Sequence, residues 1–116
     1  MRPDRDRSLD RIKHMLEAVQ NIQAFTSGMD LSKFREDEKT YYACLFQFAV
    51  IGEAVAHIDR NILEKHDYPW YKVRSFRNFI MHEYHAIDEE LVWDTIEIEL
   101  PGFRTLLESI CKSEAR

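Results

Sequence analysis

The chain has 116 residues, 45% hydrophobic and 32% charged, with only three Gly and three Pro. That length suffices for one core and not for two, so a single domain over 1–116 is expected. The scarcity of turn formers excludes collagen, disorder and a turn-rich all-β fold. A formal net charge of −5 has the wrong sign for coating nucleic acid by counterion release, so any such contact must be local.

The opening, MRPDRDRSLD, lacks the apolar centre of a signal peptide, and no later apolar run reaches the roughly 18 residues of a membrane span. A cytoplasmic protein without membrane contact is expected. Arg2, Arg5, Arg7, Arg11 and Lys13 alternate with Asp4, Asp6 and Asp10, which reads as a solvated helix start. Leu9, Ile12, Met15, Leu16, Val19 and Ile22 then recur at three- and four-residue steps. They mark an amphipathic helix closing at Ser27-Gly28, where glycine suits the left-handed cap. The charged stretch 30–38 predicts one brief helical turn.

From about Asp37 to Leu63 the residues are apolar on nearly every side, which predicts a central helix buried all round, in part by a second subunit. Glu53 is the one charged residue between Tyr41 and His57, so it must be paired or border a cleft. It serves either as a hydrogen-bond anchor for His57 or to orient a functional residue on a neighbouring helix. Gly52 beside it lowers helix propensity by about 1 kcal/mol, tolerable if it admits close helix contact. Pro69 stops that region and starts a helix running from about Trp70 to His82 or Tyr84. Asp88 is the N-cap of the last helix, whose apolar positions are Val92, Ile96, Leu100, Phe103, Leu107 and Ile110. Pro101 is expected to bend or split it. The pattern predicts an all-α, up-and-down bundle of four to five helices that dimerises.

The Trp70 helix carries the chemistry. Between Lys65 and His82 there are four Lys and Arg against one Asp, whereas Glu83 to Arg116 holds nine acids against three bases. On a helical wheel Val73, Phe76, Phe79 and Ile80 share the core side. Arg74, Arg77, Asn78, His82 and His85 gather opposite, with Trp70 and Met81. A solvated charged face is the plain alternative. Against it, Arg, Asn and His are weaker helix formers than Glu, Lys or Gln, and no carboxylate between Asp67 and Glu83 pairs with Arg74 or Arg77. Guanidinium forks match phosphate oxygens and an imidazole transfers protons near neutral pH, so metal-free RNA cleavage fits. The ribose 2′-hydroxyl would attack phosphorus, His82 would move a proton and Arg77 would stabilise the developing charge. A two-fold homodimer would supply a second imidazole across a shared cleft.

The string Arg77-Asn78-Phe79-Ile80-Met81-His82-Glu83-Tyr84 resembles the R-N-x-x-x-H-x-Y signature of HEPN-domain proteins, in particular HepT toxins. Ile51-Gly52-Glu53-Ala54, Trp70, Ile87-Asp88, Val92-Trp93 and Leu100-Pro101 extend the likeness over nearly the whole chain. The resemblance implies a dimerising all-α bundle and a metal-independent endoribonuclease toxin of a type VII-like toxin–antitoxin system. Arg77 and His82 would be catalytic and Asn78 supporting; Glu53 and Arg74 are added as supporting residues from their own charge and placement. It further implies a minimal nucleotidyltransferase antitoxin that adenylylates Tyr84 from ATP and so fills the anion site. A non-catalytic module that holds a nucleotide or the nucleotidyltransferase is the alternative. Ser75-Phe76 replaces the Gly-Met common in relatives, and His85 follows Tyr84 where an aromatic is common, so either imidazole could dominate proton transfer. No cofactor is implied, and His14, His57 and His66 have no partners at metal-ligand spacing. Trp70, Tyr41 and Tyr42 read as packing residues, and Cys44 and Cys111 as buried thiols.

Overall fold

The apolar stripes of the first, central and last helices meet in one core. In a computed structural model, which describes residues 3–114 and side chains from Arg5 onward, α1 spans Pro3–Phe25, α2 Leu31–Glu36, α3 Glu38–Val55 and α4 Arg60–Glu64. After these come α5 at Trp70–Glu83, a 3-10 turn at Tyr84–Ala86, α6 at Glu89–Asp94, a π turn at Thr95–Glu99 and α7 at Leu100–Glu114. Arg2 and Arg116 lie outside the described residues, as does the side chain of Asp4. Among those described there is no strand, and no helix is long and apolar enough to cross a membrane. The fold is the expected all-α bundle.

Ile12, Met15, Val19 and Ile22 of α1 close on Cys44, Phe48 and Ile51 of α3 and on Phe103, Leu107 and Ile110 of α7, all buried. Each large side chain there contributes about 1.5–3 kcal/mol. Aspartates start four helices: Asp30 accepts from the Lys33 N–H at 2.9 Å, Asp37 from Thr40 at 3.0 Å, Asp59 from Asn61 at 2.9 Å and Asp88 from Glu90 at 2.9 Å. Gly28, at φ +78°, makes the left-handed turn after α1. Phe34 of α2 is fully buried against the rings of Tyr41 and Trp93.

Three expectations are corrected. The central helix stops at Val55 rather than near Leu63. Ala56, His57 and Ile58 tighten into i−3 hydrogen bonds, and the Asp59 N–H donates to the buried Ser8 hydroxyl at 2.8 Å, so α4 starts afresh. Nor is that helix buried all round, because Tyr42 and Phe46 are 46% and 66% exposed. Pro101 does not split the last helix. The chain stays helical from Glu89 to Glu114, widened into the π turn just ahead of the proline, which accommodates the ring and the missing N–H.

Candidate active site

Helix α5 is tied at its start and leans chiefly on α3. The Trp70 indole N–H donates to the carbonyls of Leu63, at 3.1 Å, and His66, at 3.3 Å, while its ring packs near Tyr68 and Phe103. Trp70 is therefore half-buried packing, not part of a polar face. Phe76 meets Phe48 edge to face at 5.2 Å, and Ile80 is the one buried residue of α5.

The wheel misplaces two further residues. Phe79, expected in the core, is 38% exposed. Arg77, expected to point away from the core, starts at the α3–α5 contact. A Cβ on Gly52 would collide with the Arg77 Cβ and would lie 2.9 Å from the Val73 carbonyl oxygen, so glycine is what allows the helices to approach this closely.

From that root the guanidinium is held on two sides. Nη2 lies 3.1 Å from Glu53 Oε1, and Nη1 donates to the Asn78 side-chain oxygen at 3.0 Å. The other Glu53 oxygen meets His57 Nε2 at 3.3 Å. Both readings of Glu53 thus coincide: one carboxylate anchors His57 and orients Arg77. Glu53 is half-exposed, so the Arg77 pair contributes no more than about 1 kcal/mol to stability and its main effect is orientation. The array Asn78–Arg77–Glu53–His57 leaves the remaining guanidinium N–H groups to meet an anion.

Arg74, Asn78, His82, Tyr84 and His85 are all exposed. Helix α5 ends at Glu83, so His82 lies in its last turn and Tyr84 opens the 3-10 turn, its ring edge-on to His85 at 5.6 Å. Five residues separate Arg77 from His82, roughly 140° around a helix. By that spacing the two side chains leave the helix in different directions within one copy. The principal hollows of the single chain lie elsewhere. One of about 660 Å³ opens between the start of α1 and the turn after α3. Another of about 340 Å³, apolar, opens beside Phe48, Phe76 and Phe103.

Burial pushes the Cys44 thiol up to about 12 and also raises Cys111, which is half-buried rather than buried. Neither is a nucleophile at neutral pH. Tyr41 is buried and its phenol is raised by burial, whereas Tyr42 is exposed, so only the first is packing in the single chain. Among the described residues no group of three or more His, Cys, Asp or Glu could hold a metal ion.

The family model described as "Ribonuclease HepT-like" matches residues 15–110. "Putative RNase MJ0127" of Methanocaldococcus jannaschii is 31% identical over 99 residues, covering 84% of this chain and 82% of the relative. "Putative RNase MJ1216" of the same organism is 32% identical, with coverage of 84% and 82%. "Probable ribonuclease HepT" of Thermococcus cleftensis is 27% identical over 104 residues, covering 89% and 94%. No solved structure gives a significant match.

Proposed function

Because the chain belongs to the HepT-like ribonuclease family, we propose that it is a metal-independent endoribonuclease whose working groups are Arg77 and His82. The observation that carries this is the anchored guanidinium. Glu53 and Asn78 hold one N–H of each terminal nitrogen and leave Nε–H and the second N–H of each for a phosphoryl group, an arrangement that would stabilise charge as it develops. The ribose 2′-oxygen attacks phosphorus and gives its proton to one imidazole. The 5′-oxygen leaves and takes a proton from another, so the products are a 2′,3′-cyclic phosphate and a 5′-hydroxyl.

Arg77 and His82 diverge in one copy, so the reading requires two. Tyr42 and Phe46 lie on the same side of α3 as Glu53 by helical spacing and are left uncovered. A two-fold pairing over that face would set the partner subunit's His82 against Arg77 of this one. Single-stranded or looped RNA suits such a cleft, since its phosphates and bases are free to splay.

The same reading makes the protein a toxin held in check by a minimal nucleotidyltransferase. The Tyr84 oxygen would attack the α-phosphorus of ATP, forming an adenylyl ester and releasing pyrophosphate. Support comes from its position. Tyr84 is 55% exposed and sits two residues beyond His82, so the attached phosphate would compete for the substrate's place. Incubation of purified protein with RNA in chelator is the test: scission with cyclic-phosphate ends is expected, and intact RNA would overturn the reading. Intact mass after co-expression with the nucleotidyltransferase is expected to rise by whole adenylyl units, and a Tyr84→Phe variant to stay unmodified.

The second reading, a module that binds nucleotide or the nucleotidyltransferase without cutting, draws on the divergence of Arg77 and His82 in a single copy. It predicts saturable affinity for RNA or nucleotide with no scission.

A further inference from the structure

The roomiest of the principal hollows is not used by the cleavage chemistry. It is lined by Arg7, Asp10, Arg11 and His14 of α1 and by His57 and Asp59 from the turn after α3. His57 belongs to both places: it forms part of this wall, and it closes the Arg77–Glu53–His57 chain. Glu53 and His57 meet at 3.3 Å, so the hollow borders the anchored guanidinium through His57.

Its wall mixes charges, Arg7 and Arg11 against Asp10 and Asp59, with two imidazoles between them. Arg11 and His14, three residues apart on one side of α1, are exposed and make no hydrogen bond or ion pair among the described residues. Two acids, Asp10 and Asp59, oppose them, and Asp59 turns one carboxylate oxygen to the Asn61 N–H at 2.9 Å. No Phe, Tyr or Trp lines the hollow. About 660 Å³ is far more than a lone ion needs and lies within the range of ligand-sized sites.

We propose that this hollow is a phosphate-binding subsite for RNA, in which Arg11 and His14 hold the backbone of the strand that passes Arg77 and runs along His57. The proposal rests on the reading that the chain acts on RNA. Arg7, Arg11 and His14 precede the stretch that the family model matches, 15–110. Such a subsite also reconciles an acidic protein with an anionic substrate: the strand is held along one narrow track rather than by a broad cationic coat.

The test is binding of a fluorescein-labelled, mixed-sequence single-stranded RNA of about twelve nucleotides to the full-length protein, followed by anisotropy over a salt series. An Arg11→Gln/His14→Gln double variant should raise Kd roughly three- to tenfold and flatten the salt slope by about one unit. Asp10→Asn should move Kd the other way. On the cleavage side, the double variant should lower the ratio of kcat/KM for the twelve-mer to that for a dinucleotide, which is too short to span both places. Unchanged Kd and salt slope in the double variant overturn the subsite. Absence of cleavage by the unmodified protein overturns the proposed chemistry instead, and the Kd series still decides the subsite.

Discussion

Helices α3 and α5 lie against each other and are built on opposite terms. Eight residues of α3 are buried, from Tyr41 to Val55, whereas α5 buries Ile80 alone. One helix is held from several sides by α1, α2 and α5; the other rests chiefly on α3 and presents Arg74, Asn78 and His82 to solvent. Stability and the proposed chemistry thereby fall on different helices, and the link between them is narrow: Gly52 under Arg77, and Glu53 beside it. A face kept polar and exposed cannot also supply core, so the helix proposed to carry the chemistry is supported by its neighbour.

The sharpest way to break this division is to set one substitution in each region side by side. His82→Ala is expected to lower RNA cleavage by about 10²- to 10⁴-fold, the usual contribution of a positioned acid or base, while the urea midpoint stays in place. Leu107→Ala, at a side chain with no exposed surface, should cost about 2–5 kcal/mol in stability and leave cleavage per folded molecule intact. Cleavage assays and urea titrations on both variants check this. A His82 variant that melts early, or a Leu107 variant that folds fully but does not cut, would show that the two regions are not separable.

Gly52→Ala tests the link. The added methyl meets the Arg77 Cβ and the Val73 carbonyl, which lies 2.9 Å away, and overpacking of this kind costs typically about 1–3 kcal/mol. Unlike the previous pair, this variant should lose both stability and cleavage, because α5 must shift off α3 and take Arg77 away from Glu53. Full stability with lost cleavage would mean that α5 moves freely, and full cleavage would mean that the close crossing is not needed.

The same contrast explains what could be read from the sequence. Where burial is one-sided and local chemistry agrees with it, the chain declares itself: the α1 stripe, the last-helix positions from Val92 to Ile110, the Asp88 cap and the Gly28 turn all stand where periodicity and capping put them. The end of α3 was hidden because no glycine or proline marks it. Its break depends on Ser8, 51 positions away in sequence, accepting from the Asp59 N–H. Arg77 and Phe79 were misplaced because a wheel centres the buried arc on apolar side chains, whereas here the closest contact is made by a glycine on the opposite helix. The signature residues were legible as types and spacings, and Glu53 as a charge in need of a partner. Which nitrogen that carboxylate holds is a matter of helix crossing and is not written in either helix alone.

The smallest expected effect concerns the way α3 begins. Asp37 accepts from the Thr40 N–H at 3.0 Å and from its hydroxyl at 2.8 Å, and these bonds, the backbone one foremost, hold its carboxyl below the ordinary 3.8. A carboxyl lowered in the folded chain stabilises it above the unfolded value, and that contribution is lost as the pH falls through the folded one. Asp37→Asn keeps a capping oxygen but removes the titration, so its deficit relative to the unmodified protein should be present at pH 7 and shrink as the pH falls below the ordinary carboxyl value. Urea midpoints over that range measure it. Because α3 supports α5, a cap that loosens in acid should leave the core helices standing while Arg77 and Glu53 lose their register first. A parallel loss of both would mean that α5 is no weaker a partner than the core.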